Sequence, residues 1–154
     1  MLKMKWLDSY NTGVELFDKE HHKIIELINT MLAAITEKSE KEIFVNICDD
    51  IIAYTEYHFA HEEKAMTLVN YPGIKEHIAD HKWLKQEAER FKVIIINNFP
   101  EGTKDMLIFL RQWLIDHIQI VDKQYSAYLI DMDTWYHQNR TRGFFAVPGQ
   151  YLHF

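Results

Sequence analysis

The stretch "HFAHEE", residues 58–63, places a histidine and a carboxylate on the same face of an expected helix. Glu62 follows His58 by four residues, and side chains four apart lie one above the other on a helix surface. Upstream, Ile47 and Ile51 lead into His58 at the spacing typical of a buried helix stripe. Two polar groups therefore continue an apolar stripe, and both should point into the protein interior.

The same apolar spacing recurs in three further segments and predicts four long helices in all. We expect the first helix over residues 18–37 and the second, which contains "HFAHEE", over residues 40–69. The third helix carries the stripe from His77 to Ile95, and the fourth runs from residue 103 to residue 130. No strand pattern or internal repeat competes with these helices.

Turn and cap signals separate the four helices. "NYPG" at 70–73 and "NNFPEGT" at 97–103 break the helical pattern, and Thr103 is the expected N-cap of the fourth helix. Ser39 followed by Glu42 has the form of a capping box at the start of the second helix. Connections this short favour antiparallel neighbours. The predicted fold is all-α: an antiparallel up-down-up-down four-helix bundle with an N-terminal arm and an irregular C-terminal tail.

The chain divides into a bundle with its N-terminal arm, residues 1–130, and an aromatic-rich C-terminal extension, residues 131–154. Trp135, Phe144, Phe145 and Tyr151 lie in the extension, and these side chains are costly to leave in water. We hypothesise that the extension folds over the bundle and restricts access to its interior.

Composition and charge exclude several classes of function. The chain has 154 residues, a formal net charge of -6 and a pI near 5.8, so no basic stripe is available for nucleic acid or an anionic membrane surface. Cys48 is the only cysteine, which excludes an intramolecular disulfide. The apolar runs are too short to span a membrane, and the N-terminus lacks a signal-peptide core. We expect a cytoplasmic protein with no nucleic-acid or membrane partner.

Every helix contributes a histidine to one level of the interior. The inward polar residues are His21, His58, Glu62, His77, His81 and His117. Burying such groups unpaired costs a few kcal/mol each, and a bound iron, zinc or manganese ion would offset that cost. The alternative is a set of ordinary core histidines satisfied by hydrogen bonds, but so many at one level could hardly satisfy each other. His22 and His61 lie off the stripes, and we expect them on a solvated face.

Several motifs resemble those of the hemerythrins, specifically the single-domain bacterial kind. They occur in that family's order and spacing: Trp6, Gly13, "DKEHHKIIELIN" at 18–29, "HFAHEE" at 58–63, Met66, "HIADH" at 77–81 and "WLIDHIQIVD" at 113–122. The resemblance covers residues 6–128, and the motifs are specific when taken together.

The resemblance implies seven ligands for two iron ions that share an oxo or hydroxo bridge. One iron would be held by His77, His81 and His117, the other by His21 and His58, and both by Glu62 and Asp122. Asp122 follows His117 by five residues, about 140° around an ideal helix. Its participation therefore requires a local widening of the fourth helix or an oblique approach.

The resemblance also implies reversible binding of dioxygen at an open iron position, for storage, delivery or sensing, and no enzymatic role beyond a side activity. Phe59, Trp113, Leu114 and Ile118 match positions that line the family's oxygen pocket, where apolar walls exclude water and anions. The same four residues are also compatible with plain core positions. The sequence identifies no protein that would receive the oxygen.

Two other functions stay open. One is a di-iron enzyme, such as a peroxidase, an oxidase or a nitric oxide reductase, or else a simple iron-binding protein. Ferritin-like enzymes use Glu-x-x-His pairs, and no histidine here has a glutamate three residues before it. Ligation rich in nitrogen also disfavours the high-valent iron that an oxidase needs. The other is sensing or delivery in which the tail docks on a partner.

Overall fold

Four long helices make up the described part of the protein, and they lie close to the predicted segments. In a computed structural model that describes residues 2–130, they are α1 (Glu15–Thr36), α2 (Lys41–Leu68), α3 (Ile74–Asn97) and α4 (Glu101–Asp116). The fourth helix continues as a π-helical segment, His117–Asp122, and then through residues 123–130. No strand occurs among the described residues, so the all-α prediction is confirmed. The predicted extension at 131–154, with its docking over the bundle, lies outside them.

Short connections force the helices into an antiparallel arrangement. The longest connection, residues 69–73, spans at most about 18 Å, whereas a helix of the length of α2 is about 42 Å long. Consecutive helices must therefore run in opposite directions. Helices α1 and α3 each pack against both α2 and α4, which closes the predicted four-helix bundle. A membrane span needs more length and apolar character than any helix within residues 2–130 offers.

Two predicted helix caps are wrong, because neighbouring turns use the same residues. Glu40, rather than Ser39, is the N-cap of α2, and its side chain makes no capping hydrogen bond. The amide of Ser39 donates instead to the carbonyl of Ala34 in the turn that ends α1. Thr103 lies inside α4, which begins after Pro100, and its hydroxyl donates to the Pro100 carbonyl at 2.6 Å. Helix ends are thus set by the turns between helices.

The N-terminal arm is tied to α1 by two side chains. Asn29 exchanges two hydrogen bonds with the backbone of Met4, at 2.8 and 3.0 Å. Asp18 accepts from the amide and the hydroxyl of Thr12 and from the amide of Gly13. Gly13 has a φ of 87°, in the left-handed region that favours glycine. Because these contacts turn the chain sharply, α1 begins at residue 15 instead of the predicted residue 18.

Two apolar clusters occupy opposite ends of the bundle. The larger one contains Ile28 of α1 and Ile95 of α3, and the smaller one contains Phe17, Met66 and Tyr125. On α1, α2 and α3 the inward-facing histidines and Glu62 fall between the residues of the two clusters, and in the π-helical segment His117 and Asp122 lie on either side of Ile118, the last residue of the larger cluster. The interior therefore has a polar layer with apolar packing above and below it.

Candidate metal centre

The seven residues expected to bind metal lie together in this polar layer. Each is at most 4% exposed: His21, His58, Glu62, His77, His81, His117 and Asp122. Six of them form two sets, and the donor atoms of each set all lie within 4.8 Å of one another. Glu62 belongs to both sets. One set has two histidines, from α1 and α2, and the other has three, from α3 and the π-helical segment.

Glu62 directs its two oxygens to different histidines. Its Oε1 lies 3.4 Å from Nε2 of His58 and 3.8 Å from Nε2 of His21. Its Oε2 lies 3.1 Å from Nε2 of His81 and 3.6 Å from Nε2 of His77. A carboxylate in this position can bridge two cations, one on each side.

Asp122 repeats this arrangement from the opposite helix. Its Oδ2 lies 3.2 Å from Nε2 of His21, whereas its Oδ1 lies 3.1 Å from Nε2 of His117 and 3.5 Å from Nε2 of His77. His117 and Asp122 are the first and last residues of the π-helical segment. Because π-helical hydrogen bonds join residues five apart, the segment brings Asp122 onto the face of His117. The predicted widening of the fourth helix is confirmed.

Most of these donor atoms make no hydrogen bond among the described residues, although they lie as little as 3.1 Å from one another. Eight buried side-chain atoms have no hydrogen-bond partner among the described residues: Nδ1 and Nε2 of His21, Nε2 of His77, His81 and His117, Oε2 of Glu62, and both carboxylate oxygens of Asp122. Native structures leave few such atoms, and each needs an explanation. Imidazole and carboxylate are suitable ligands for iron, zinc and manganese. The residues present therefore fit a pair of such cations, which would be the missing partners of these atoms apart from Nδ1 of His21, because Nε2 is the nitrogen of that ring that faces the carboxylates.

The charges of the site favour ionised carboxylates. Burial alone would raise the pKa of Glu62, but His58, His77 and His81 outweigh it and hold that pKa well below its ordinary value. Burial and the charge of Glu62 oppose the ionisation of Asp122, yet His117 and His21 lower its pKa to about 2. Both groups are thus anionic at neutral pH, the state that metal binding requires.

Comparison with known proteins identifies the family to which a chain with this site belongs. The model of the hemerythrin HHE cation-binding domain matches residues 12–129, a range that contains all seven donors. The chain belongs to the hemerythrin family. It is 27% identical over 129 residues to a bacteriohemerythrin of Stenotrophomonas maltophilia, which covers 82% of this chain and 81% of that protein. It is 26% identical over 125 residues to a myohemerythrin of Riftia pachyptila, with 80% and 92% covered.

A solved structure supports the same assignment. The crystal structure of a wild-type hemerythrin matches with a TM-score of 0.74 and 27% identity, over 84% of this chain and 99% of that one. The resemblance expected from the motifs is therefore confirmed, and the protein is an all-α four-helix bundle of the hemerythrin type.

Two carboxylates behind the hemerythrin-type ligands were not identified from the sequence. Nδ1 of His58 donates to Oε2 of Glu20 at 2.8 Å, and Nδ1 of His81 donates to Oε1 of Glu63 at 2.9 Å. Such contacts fix the ring orientation and leave Nε2 free to face a metal. Glu20 lies next to His21 in the sequence, but adjacent residues are about 100° apart on a helix. The spacing therefore gave no reason to select it.

Tyr125 makes a further contact with the metal-binding candidates, which its position in the sequence did not predict. Its hydroxyl donates to Oε1 of Glu62, and its ring packs against Phe17 at 6.0 Å and His77 at 5.2 Å. Burial, followed by the charges of Asp122 and Glu62, raises the pKa of Tyr125 well above its ordinary value. The phenol therefore stays protonated and remains a hydrogen-bond donor to the carboxylate.

The two histidines expected on a solvated face differ from each other. His22 is exposed, as predicted, and stacks on Trp6 with ring centroids 3.9 Å apart. The prediction for His61 is wrong, because its side chain is only 22% exposed and its Nδ1 lies 2.6 Å from Oε1 of Glu20. Glu20 reaches this position from α1, so the spacing within α2 could not reveal the pair.

The four residues expected to line the oxygen pocket all lie near the ligands or in the adjoining core. Phe59 stacks on His81 with centroids 3.7 Å apart, and Trp113 stacks on His117 at 5.0 Å. Leu114 and Ile118 are each 1% exposed and belong to the larger apolar cluster. The polar layer is thus bordered by aromatic and aliphatic side chains.

Proposed function

We propose that this protein binds dioxygen reversibly at two iron ions that share an oxo or hydroxo bridge. One observation carries the proposal: the two carboxylates divide their oxygens between two unequal sets of histidines. Three histidines and two carboxylate oxygens face one position, and two histidines and two carboxylate oxygens face the other. The side with fewer protein donors, that of His21 and His58, leaves room for a small molecule.

The residues around the ligands have separate roles in this proposal. Ferrous iron, when bound by these residues, would supply the electrons that binding of dioxygen requires. Glu62 and Asp122 would hold the two cations between them, and the hydroxyl of Tyr125 orients Glu62. Phe59, Trp113, Leu114 and Ile118 form an apolar wall that excludes water and anions, which would otherwise displace the bound gas and leave oxidised iron.

The composition of the ligand set favours binding over turnover. Five imidazoles and two carboxylates leave the iron pair more positive than the carboxylate-rich sites of ferritin-like enzymes. A peroxidase, oxidase or nitric oxide reductase activity is the alternative. Storage, delivery and sensing would all use the same binding step. The cytoplasmic location stays a prediction.

Iron content and optical spectra test the proposal. The purified protein should hold two irons per chain and show a visible charge-transfer band that forms with dioxygen and fades on deoxygenation. Steady consumption of peroxide or nitric oxide would favour the enzyme instead, and fewer than two irons would refute the two-iron centre.

A matched pair of variants tests the apolar wall. Ile118 is 1% exposed and Ile120 is 61% exposed in the same π-helical segment. Ile118→Thr brings a hydroxyl into the wall and should speed autoxidation several-fold, whereas Ile120→Thr should leave the rate unchanged. Equal autoxidation rates in the two variants would show that the apolar wall does not protect the bound gas.

A further inference from the structure

Glu20 is a buried carboxylate that contacts two histidines of α2. Its Oε2 accepts from Nδ1 of His58 at 2.8 Å, and its Oε1 accepts from Nδ1 of His61 at 2.6 Å. The side chain of Glu20 comes from α1 and is 5% exposed. One carboxylate therefore joins α1 to α2 directly behind a ligand of the metal centre, and each of its oxygens has its own donor.

We propose that His61 is a positioning residue for the metal on the side of His21 and His58. This proposal rests on the two-metal centre proposed above. A carboxylate held through one oxygen can still turn about its last bond, whereas a donor on each oxygen fixes its plane. His61 thereby fixes Glu20, and Glu20 fixes the ring of His58. Contacts of this kind orient metal ligands and strengthen their binding.

His61 is itself held at the rim of the site. Its ring packs edge-on against Tyr57, with centroids 4.2 Å apart, and its side chain is 22% exposed. Placing it there also supplies a charge-assisted hydrogen bond to an otherwise costly buried carboxylate. Glu20 thus has a second hydrogen-bond donor that is not itself one of the proposed metal ligands.

The opposite side of the centre has a different support. Nδ1 of His81 donates to Glu63, whose side chain is 34% exposed, so water can reach that carboxylate. Among the described residues, Glu20 is the carboxylate that joins a ligand histidine to a histidine outside the ligand set. The effect of His61 should therefore reach one of the two metals and not the other.

Release of iron to a chelator measures this selectivity. The wild-type protein and its variants are loaded with ferrous iron without oxygen, and loss of the first and the second iron is followed after rapid mixing. Replacing a contact behind a ligand weakens metal binding by about 10- to 100-fold. Because His61 acts one contact further out, His61→Ala should speed the loss of one iron by about tenfold and leave the other unchanged.

Three further variants separate positioning from general loosening. His61→Asn keeps a donor near the position of Nδ1 and should restore release to within about threefold of the wild type. Glu63→Gln should speed loss of the other iron instead. His22→Ala removes an exposed histidine of α1 that contacts Trp6 and should change neither rate. If His61→Ala fails to fold, His61→Leu, which keeps packing on Tyr57 but has no donor, replaces it in the comparison with His61→Asn.

The outcomes distinguish the two proposals. Selective acceleration by His61→Ala with rescue by His61→Asn supports the positioning role. Equal acceleration of both irons, no acceleration, or failure of His61→Asn to rescue overturns that role while the two-iron centre stands. A wild-type protein that binds fewer than two irons overturns the centre, and the role of His61 with it.

Discussion

Removing the metal should cost this protein a large part of its stability. Eight buried side-chain atoms of the centre have no hydrogen-bond partner among the described residues, and each such atom costs about 1–3 kcal/mol when it is left unpaired. The unfolded chain can solvate these groups with water, whereas the folded chain cannot. Metal binding therefore stabilises the folded state selectively.

The size of the effect follows from the two positions that the carboxylates define. A cation at a free concentration 1,000 times its Kd stabilises the folded state by about 4.1 kcal/mol, so two cations contribute about 8 kcal/mol. In a domain of this size, 1 kcal/mol shifts Tm by about 2–4 °C. The loaded protein should therefore melt roughly 15–30 °C above the metal-free protein.

Thermal unfolding, followed by circular dichroism, checks this prediction. The chelated protein is compared with protein reloaded with ferrous iron in the absence of oxygen, and with protein given zinc. Magnesium is the control, because it prefers oxygen ligands and should bind the histidine-rich site poorly. If iron raises Tm by less than about 3 °C, the unpaired atoms are not a metal site. A rise of half the expected size would contradict the pair and indicate a single cation.

Three further predictions concern individual groups. Tyr125→Phe removes the donor to Glu62 and should lower the free energy of unfolding of the metal-free protein by about 1–3 kcal/mol in a urea titration; an unchanged midpoint would contradict the role of the hydroxyl. Burial, assisted by a neighbouring aspartate, raises the pKa of Cys48 to about 12, so iodoacetamide at pH 8 should label the folded protein far more slowly than the urea-unfolded protein, and similar rates would show that the thiol is accessible. The pKa of Asp122 is lowered to about 2, so its contribution to stability is present above pH 4 and is lost as pH falls towards 2. The pKa of His117 is raised, so its contribution is complete below about pH 6.5 and is lost as pH rises past its folded-state pKa; the Tm of the metal-free protein should therefore peak between these limits, and a Tm that rises steadily with pH would refute the assignment.

The sequence alone determined which face of α3 is buried. On α3, the predicted stripe from His77 to Ile95 is buried at every position that the apolar spacing selected. This succeeds because the helical period fixes the face of each residue relative to its own helix, whatever packs against it. The prediction that Asp122 faces the site needed the family resemblance, because an ideal helix would turn Asp122 away from His117. The π-helical segment brings the two residues onto one face.

Contacts between helices were decided by the tertiary structure. Glu20 meets His58 and His61 across 38 and 41 residues of sequence, and Tyr125 meets Glu62 across 63. The period of one helix says nothing about its rotation and axial shift against the next, because those depend on the packing of the whole interface. The sequence and the family resemblance therefore determined the inward-facing histidines and carboxylates, whereas the packing of the helices determined which groups support them and how each carboxylate divides its oxygens.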